Sequence, residues 1–128
     1  MSERIVIERI APARPRELGC QLFVPERARR AGVAPLVVAV HGISLNALEQ
    51  VECFAGHAAE RGAVVVAPCF DGPEDTDYQR LGRRGRGRRA DLALDDLIER
   101  LSREAEIRFA KRFFFGYSGG GQFVHRYL

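Results

Sequence analysis

The sequence predicts an α/β fold with a mainly parallel sheet and helices on both faces. Short β-branched runs alternate with longer segments of helical periodicity, which is typical of parallel strands joined by helices. The runs at 35–40, 63–68 and 112–117 are almost continuously apolar, as expected of strands buried on both faces. A chain of 128 residues has the length of one domain, and we expect residues 1–128 to form it.

Two weaker strands precede this core. Residues 4–10 alternate apolar with polar side chains, and residues 18–24 form a short apolar segment that ends at Pro25. We expect them to form an antiparallel hairpin at one edge of the sheet. Residues 26–34 are rich in charge, and we expect a solvated connection there.

Helices are predicted between the core strands. Asn46 and Glu49 have capping-box spacing at the start of the first helix, and Gly62 ends it. Its apolar side chains recur at helical spacing: Leu48, Val51, Phe54, Ala55 and Ala58. The second helix carries an i, i+3, i+4, i+7 stripe, which consists of Leu94, Leu97, Ile98 and Leu101. The segment "GQFVHRYL" after the last strand predicts the start of a further helix.

The composition is that of an ordinary globular protein. The chain is 46% hydrophobic and 29% charged, and its net charge of +3 is too small to imply a nucleic-acid partner. No apolar run approaches the roughly 18 residues of a membrane span, and the polar start "MSERIVIERI" does not have the layout of a signal peptide. The three cysteines form no C-x-x-C pair, so we expect reduced thiols in a cytoplasmic protein that has no membrane partner.

The segment Gly116-Tyr117-Ser118-Gly119-Gly120 matches the pattern G-x-S-x-G at the end of the last predicted strand. In this pattern a serine lies on a sharp strand-to-helix turn, and its neighbours two residues away must be small so that strand and helix can approach. The carboxyl ends of parallel strands meet at one edge of the sheet. The "HGISLN" loop after residues 35–40 should therefore lie near this serine.

These segments resemble those of the α/β-hydrolase family. "VVAVHGISLNA" is similar to its oxyanion-loop segment and "FFFGYSGGGQF" to its nucleophile elbow, and the resemblance covers nearly the whole chain. It implies an α/β-hydrolase-like fold and a serine hydrolase that acts on small-molecule carboxylic esters. It further implies a nucleophile at Ser118, oxyanion donors at the backbone N–H groups of Ile43 and Gly119, and elbow glycines at Gly116 and Gly120. Esterases and polyester or feruloyl-ester hydrolases are the most similar members.

The resemblance also implies that part of the catalytic machinery is missing. The family order is serine, acid, histidine, but only ten residues follow Ser118. We expect His41 to shape the oxyanion loop, His57 to lie on a polar helix flank, and His125 to lie two helical turns beyond the serine. The chain is therefore expected to be the N-terminal portion of a longer hydrolase that lacks the C-terminal strands, and to be inactive or nearly so alone. Its uncapped last strand would allow an edge-to-edge homodimer.

No cofactor or metal is predicted. The glycines at 116 and 121 have the spacing of a phosphate-binding loop, but Gln122 and Phe123 stand where lysine and serine or threonine are required. Val124 replaces the last glycine of a dinucleotide-binding G-x-G-x-x-G. The acidic segment 73–77 lacks the glycine and distal glutamate of a calcium loop.

The segment "RLGRRGRGRR" at 80–89 supports the alternative functions. Its six arginines could bind anions or nucleic acid, although four acidic residues at 71–77 offset much of the charge. We favour a solvated loop at the rim of the active-site cleft, with no nucleic-acid partner. The alternatives to an esterase are a peptidase on the same scaffold and a non-catalytic fragment or arginine-loop anion-binding module.

Overall fold

The computed structural model describes residues 4–12, 14, 17–42, 45–72, 75, 78, 89–116 and 119–128. Strands and helices alternate along most of this chain, as the sequence predicts. In chain order the elements are β1 (Glu8–Ile10), β2 (Gly19–Phe23), α1 (Glu26–Ala31), β3 (Val33–Val40), α2 (Ala47–Arg61), β4 (Val64–Cys69), α3 (Ala90–Ala105), β5 (Arg108–Gly116) and α4 (Gly119–Tyr127).

The strands form one mixed sheet with the order β1-β2-β4-β3-β5. β3 lies parallel to β4 on one side and to β5 on the other. β2 is antiparallel to both β1 and β4, so the N-terminal hairpin is attached at one edge of the parallel strands. The α/β fold class and the edge hairpin are thus confirmed.

Helices cover both faces of the sheet. On one face, Val51 of α2 packs in a cluster with Val65 of β4. On the other face, α3 and α4 contribute Leu94 and Phe123 to a larger cluster that contains Val38 of β3. Because neighbouring residues of a strand point to opposite faces, β3 and β4 must be apolar on both sides to serve both clusters.

One predicted connection is wrong. Within residues 26–34, Glu26–Ala31 form α1, whose Ala28 is buried, and β3 begins as early as Val33. α1 has only six residues, which is too short for an amphipathic period to be recognised in the sequence. Residues that are typical of helix ends are nevertheless present. Glu26 and the pair Arg29 and Arg30 complement the helix dipole at its two ends, and Gly32 ends it in a left-handed conformation at φ 70°.

The limits of three strands also differ from the prediction. β1 has only three residues, and β5 begins at Arg108 instead of residue 112. β4 continues through Pro68, where the sequence predicted its end, to Cys69. Proline is tolerated there because the β3–β4 ladder is confined to Val64–Val66, so at Pro68 only β2 is paired with β4.

β5 is an edge strand of the described sheet, as the expected uncapped last strand implies, and it is not buried on both faces as its apolar run alone would predict. Phe113 and Phe115 are 54% and 49% exposed, while Phe114 packs against the α3–α4 cluster. Among the described residues, β3 is the strand paired with β5. A continuous apolar run predicts burial on both faces, but whether a further element covers the strand is a property of the assembled sheet.

The ends of α2 are as predicted, but its first turn is not capped as predicted. Asn46 is the N-cap and Gly62 the C-cap, yet the Asn46 side chain makes no capping hydrogen bond. Its Nδ2 instead donates to Glu49 Oε2 at 3.4 Å. Leu48, which was expected on the buried face, is 46% exposed.

α3 has the predicted apolar stripe, since all four residues of that stripe are buried.

None of the helices in the described part of the chain combines the length and the apolar character that a membrane span needs.

We predict that Leu97→Ala destabilises the protein by about 2–5 kcal/mol, because it opens a cavity at a side chain that is only 3% exposed. The matched control is Leu92→Ala on the same helix, where the leucine is 53% exposed and the expected change is within about 0.5 kcal/mol. Urea denaturation of both variants measures the difference. Equal losses would contradict the assignment of the buried face of α3.

Candidate functional site

The end of β3, the end of β5 and the start of α4 meet at one point. Val40 and Gly116 are partners in the last position of the β3–β5 register. Gly120 of α4 lies directly over the end of β3, so that a Cβ built on it would lie 2.1 Å from the carbonyl oxygen of Val40 and 2.6 Å from that of His41. These distances are far below van der Waals contact, and only glycine fits at position 120.

Gly116 meets a similar restriction. A Cβ there would lie 2.3 Å from the carbonyl oxygen of Gly120. The backbone at the end of β5 and that of the first turn of α4 therefore lie too close together for a side chain at position 116. Ser118, between them in the sequence, lies outside the described residues, as does Ile43 of the loop after β3.

Gly119 is the first residue of α4. The first N–H groups of a helix have no carbonyl partner within the helix, and they form its positive end. The first turn of α4 carries no acidic residue that would offset this potential. The amide of Gly119 thus lies at the positive end of α4.

His41 is buried at the end of β3, and both of its ring nitrogens are hydrogen-bonded to the backbone. The amide of Phe70 donates to Nε2 at 2.9 Å, and Nδ1 lies 2.9 Å from the carbonyl oxygen of Gly42. An amide can only donate and a carbonyl can only accept, so the hydrogen must be on Nδ1 and the ring must be neutral. Neither nitrogen is left to take a proton from a serine.

The electrostatic surroundings of His41 are consistent with a neutral ring. Burial lowers the pKa of His41, and this effect outweighs the hydrogen bond to Gly42 and the charges of Asp71 and Asp75, which raise it. Asp75 is itself buried, and its Oδ2 accepts a hydrogen bond from the amide of Gly72 at 3.2 Å.

An aromatic cluster surrounds this histidine, and the sequence did not predict it. Tyr78 stacks on Phe70 with ring centroids 5.0 Å apart and planes 8° apart, and Phe123 of α4 lies 5.0 Å from Phe70. The Tyr78 hydroxyl donates to the carbonyl oxygen of His41 at 3.0 Å. No periodic pattern marks Tyr78 in the sequence, because it is held by contacts with residues distant in the chain.

The other predicted residues lie apart from this point. His57 and His125 are exposed on α2 and α4. Residues 80–88 of the arginine-rich segment are outside the described residues, and Arg89 pairs with Asp91 at 2.6 Å. Within the described residues, no group of three or more His, Cys, Asp or Glu side chains is arranged to hold a metal ion.

The described cysteines are not candidates for an activated nucleophile. Burial raises the pKa of Cys20 to about 12 and that of Cys69 to about 11, so both thiols are protonated at neutral pH. Cys53 is exposed on α2, on the face of the sheet away from α4. The cytoplasmic location inferred from reduced thiols stays a prediction.

The structure is similar to those of several hydrolases. A poly(aspartic acid) hydrolase from Sphingomonas sp. KT-1 superposes with a TM-score of 0.74 at 18% identity, over 99% of this chain and 51% of that protein. A poly(3-hydroxybutyrate) depolymerase from Bordetella parapertussis gives 0.73 at 19% identity, over 97% of this chain and 46% of that protein. These neighbours are α/β-hydrolases. The chain has an α/β-hydrolase-like fold.

This α/β-hydrolase-like chain spans about half the length of the solved structures that it resembles. An S-formylglutathione hydrolase from Agrobacterium tumefaciens shows the same relation, with a TM-score of 0.63, 19% identity, and coverage of 94% of this chain and 51% of that protein. No protein-family model and no curated protein matches the chain in sequence. At this identity the similarity establishes the fold, and the chemistry must be argued from the site.

Gly120→Ala is expected to destabilise the α/β-hydrolase-like chain strongly, by about 3 kcal/mol or more, because the new Cβ would overlap the Val40 carbonyl and force two backbones apart. Gly56→Ala is the matched control. Its Cβ would meet no atom within 4 Å, and alanine in the interior of α2 should stabilise by about 0.5–1 kcal/mol. Thermal unfolding separates the two, and a tolerated Gly120→Ala would contradict the contact.

His41 should make stability depend on pH. Its folded-state pKa is lowered, so the folded protein takes up a proton at lower pH than the unfolded chain does. The contribution of His41 is therefore complete above about pH 6.5 and declines as pH falls below it, by at most about 1.4 kcal/mol per pH unit.

The free energy of unfolding, measured between pH 5 and 8, tests this expectation. His41→Gln should flatten the decline below about pH 6.5, whereas His57→Gln, at an exposed position on α2, should keep the wild-type profile. Identical profiles for wild type and His41→Gln would show that another group is responsible.

Proposed function

We propose that the chain carries the nucleophile and the oxyanion hole of a carboxylic-ester hydrolase that works by acyl transfer. Ser118 is the nucleophile, and the backbone amides of Gly119 and Ile43 are the oxyanion donors. The observation that supports this proposal most strongly is the contact of Gly120 with the carbonyl groups of Val40 and His41. It brings the start of α4 against the loop that contains Ile43.

The strand-to-helix junction supports the role of Ser118. Gly116 and Gly120 are two residues on either side of it, and both are too crowded by backbone to carry a side chain. This is the steric requirement of a nucleophile elbow, where a tight turn exposes the serine hydroxyl. The hydroxyl would also be at the positive end of the nine-residue α4, which favours developing negative charge.

The proposed chemistry has two steps. In the first, Ser118 Oγ forms a bond to the acyl carbon, its proton passes to a general base, and the carbonyl oxygen becomes negative while it accepts hydrogen bonds from Gly119 and Ile43. The ester C–O bond then breaks and the alcohol leaves with a proton. In the second, the oxygen of a water molecule forms a bond to the acyl carbon, the bond from that carbon to Ser118 Oγ breaks, and Oγ regains a proton as the carboxylic acid is released. Loss of one oxyanion donor typically costs about 3–4 kcal/mol of transition-state stabilisation.

The general base is not supplied by the described histidines. Both nitrogens of His41 are bonded to the backbone, and the rings of His57 and His125 are exposed on their helices. We therefore propose that the 128-residue chain by itself turns over esters very slowly or not at all.

A second candidate function is hydrolysis of an amide bond on the same scaffold, which is the reaction that a peptidase catalyses. The similarity to a poly(aspartic acid) hydrolase favours it, whereas similarity to a poly(3-hydroxybutyrate) depolymerase and to an acetyl xylan esterase from Aspergillus awamori favours ester substrates. We place esters first because two of these three relatives are named for them. A panel of matched ester and amide substrates distinguishes the two.

Ser118 should be the residue modified by a fluorophosphonate, because the tetrahedral adduct uses the same oxyanion donors. The modification should be slow, because the described histidines supply no general base. Peptide mass spectrometry identifies the modified residue. Ser118→Ala should abolish labelling, and Ser102→Ala, which removes a hydroxyl that donates to the Ile107 carbonyl, should not. Labelling at another residue would contradict the assignment.

Rapid turnover of p-nitrophenyl acetate that depends on Ser118 would contradict the proposed inactivity of the 128-residue chain by itself.

Ser118→Cys provides a readout that needs no general base. A thiol at the positive end of a helix should have a pKa below its usual value of about 8.5 and react quickly with iodoacetamide at neutral pH. Exposed Cys53, within α2, is the internal reference. If the thiol introduced by Ser118→Cys reacts more slowly than that of Cys53, position 118 does not combine exposure with a positive helix end, and the proposed role of Ser118 is contradicted.

A further inference from the structure

We infer that Tyr78 is a positioning residue, which holds the loop after β3 against the first turn of α4 and so sets the spacing of the two oxyanion donors. This inference rests on the proposed function, because it concerns the same site. It assigns a role to the hydroxyl of a residue that the G-x-S-x-G pattern does not include.

The Tyr78 hydroxyl lies between the two elements that carry the donors. It donates to the carbonyl oxygen of His41 at 3.0 Å, two residues before Ile43. A Cβ built on Gly119 would lie 2.9 Å from the same Tyr78 Oη. One oxygen atom thus accounts for a hydrogen bond to the β3 loop and occupies the space that a Cβ at the first residue of α4 would need.

The ring of Tyr78 is held in place independently of its hydroxyl. It is 6% exposed, stacks on Phe70, and lies 6.5 Å from Phe123 of α4. Phe70 in turn donates its amide hydrogen to His41 Nε2. His41 is therefore held through its ring by Phe70 and through its carbonyl by Tyr78. Of these two hydrogen bonds, the second involves the oxygen that would obstruct a Cβ at position 119.

The hydroxyl can position the donors but cannot be a donor itself. A tyrosine hydroxyl has one hydrogen, and here that hydrogen is used by the His41 carbonyl. Burial raises the pKa of Tyr78, so the hydroxyl keeps this hydrogen at neutral pH. Without it, the buried His41 carbonyl would lose a partner and the loop could shift relative to Gly119.

The test uses the full chain and phenylboronic acid. Ser118 Oγ forms a bond to boron, its proton is released to solvent, and the resulting tetrahedral boronate carries a negative charge in the position of the oxyanion. The dissociation constant is measured by titration, and the amide proton shift of Gly119 on adduct formation is measured by NMR. That shift reports a hydrogen bond to the adduct, which a loss of overall stability would not change.

Tyr78→Phe keeps the stacked ring and removes the hydroxyl. We expect it to weaken phenylboronic acid binding about tenfold and to reduce the Gly119 shift, since small displacements of preorganised donors are costly. Tyr127→Phe is the matched control. It also removes one hydroxyl hydrogen bond, from Tyr127 to Asp95, but on the far end of α4, and it should keep wild-type affinity and shift.

A second variant tests the contact with Gly119 directly. Gly119→Ala should displace the Tyr78 hydroxyl, because its Cβ would lie 2.9 Å from it. Its effect on binding should be smaller in a Tyr78→Phe background, where the obstructing oxygen is gone. Additive effects would show that the two residues act independently and would overturn the inference.

The outcomes separate the inference from the proposed function. If binding depends on Ser118 but Tyr78→Phe keeps wild-type affinity and Gly119 shift, the inference is overturned and the proposed function stands. If wild type and Ser118→Ala bind phenylboronic acid equally, both are overturned.

Discussion

The contact between Gly120 and the carbonyl groups of Val40 and His41 is the constraint on which the rest of the site depends. Two neighbouring parallel strands, β3 and β5, end side by side, and α4 starts by crossing directly over the end of β3. Such an approach is possible only where no side chain intervenes. It aligns the positive end of α4 with the loop after β3, so the fold itself creates a place where negative charge is stabilised.

Beside this contact the polar groups of His41 are buried, and they are tolerated there because they are paired. The ring of His41 and its carbonyl are satisfied by Phe70, Gly42 and Tyr78. An unpaired group in such a position would cost about 1–3 kcal/mol. The same pairing that makes His41 a good structural residue prevents it from acting as a base. A buried histidine near the start of α4 can therefore have a purely structural role.

The edge strand β5 carries both apolar and positively charged side chains that are exposed. Phe113 and Phe115 are about half exposed, while Arg108, Lys111 and Arg112 place positive charge along the strand. Charged side chains on an edge strand oppose unspecific pairing, and the phenylalanines favour cover by apolar groups. The chain corresponds to about half of each solved structure that it resembles, and at 18–19% identity the resemblance concerns the fold. The role proposed for Ser118 is supported by the glycine contacts on either side of it, and only the preference for ester over amide substrates draws on that resemblance.

The sequence by itself determined the features that depend on neighbours along the chain. The stripe of α3, the ends of α2, the β3 and β4 core strands, and the glycine spacing around Ser118 follow from side-chain period and from steric size. The tertiary structure decided what covers each element. It left Phe113 and Phe115 of β5 half exposed and allowed Pro68 inside β4. It also turned part of a charged connection into α1 and brought Tyr78 to the His41 carbonyl. These features depend on contacts between residues far apart in the sequence, and no local period encodes such contacts.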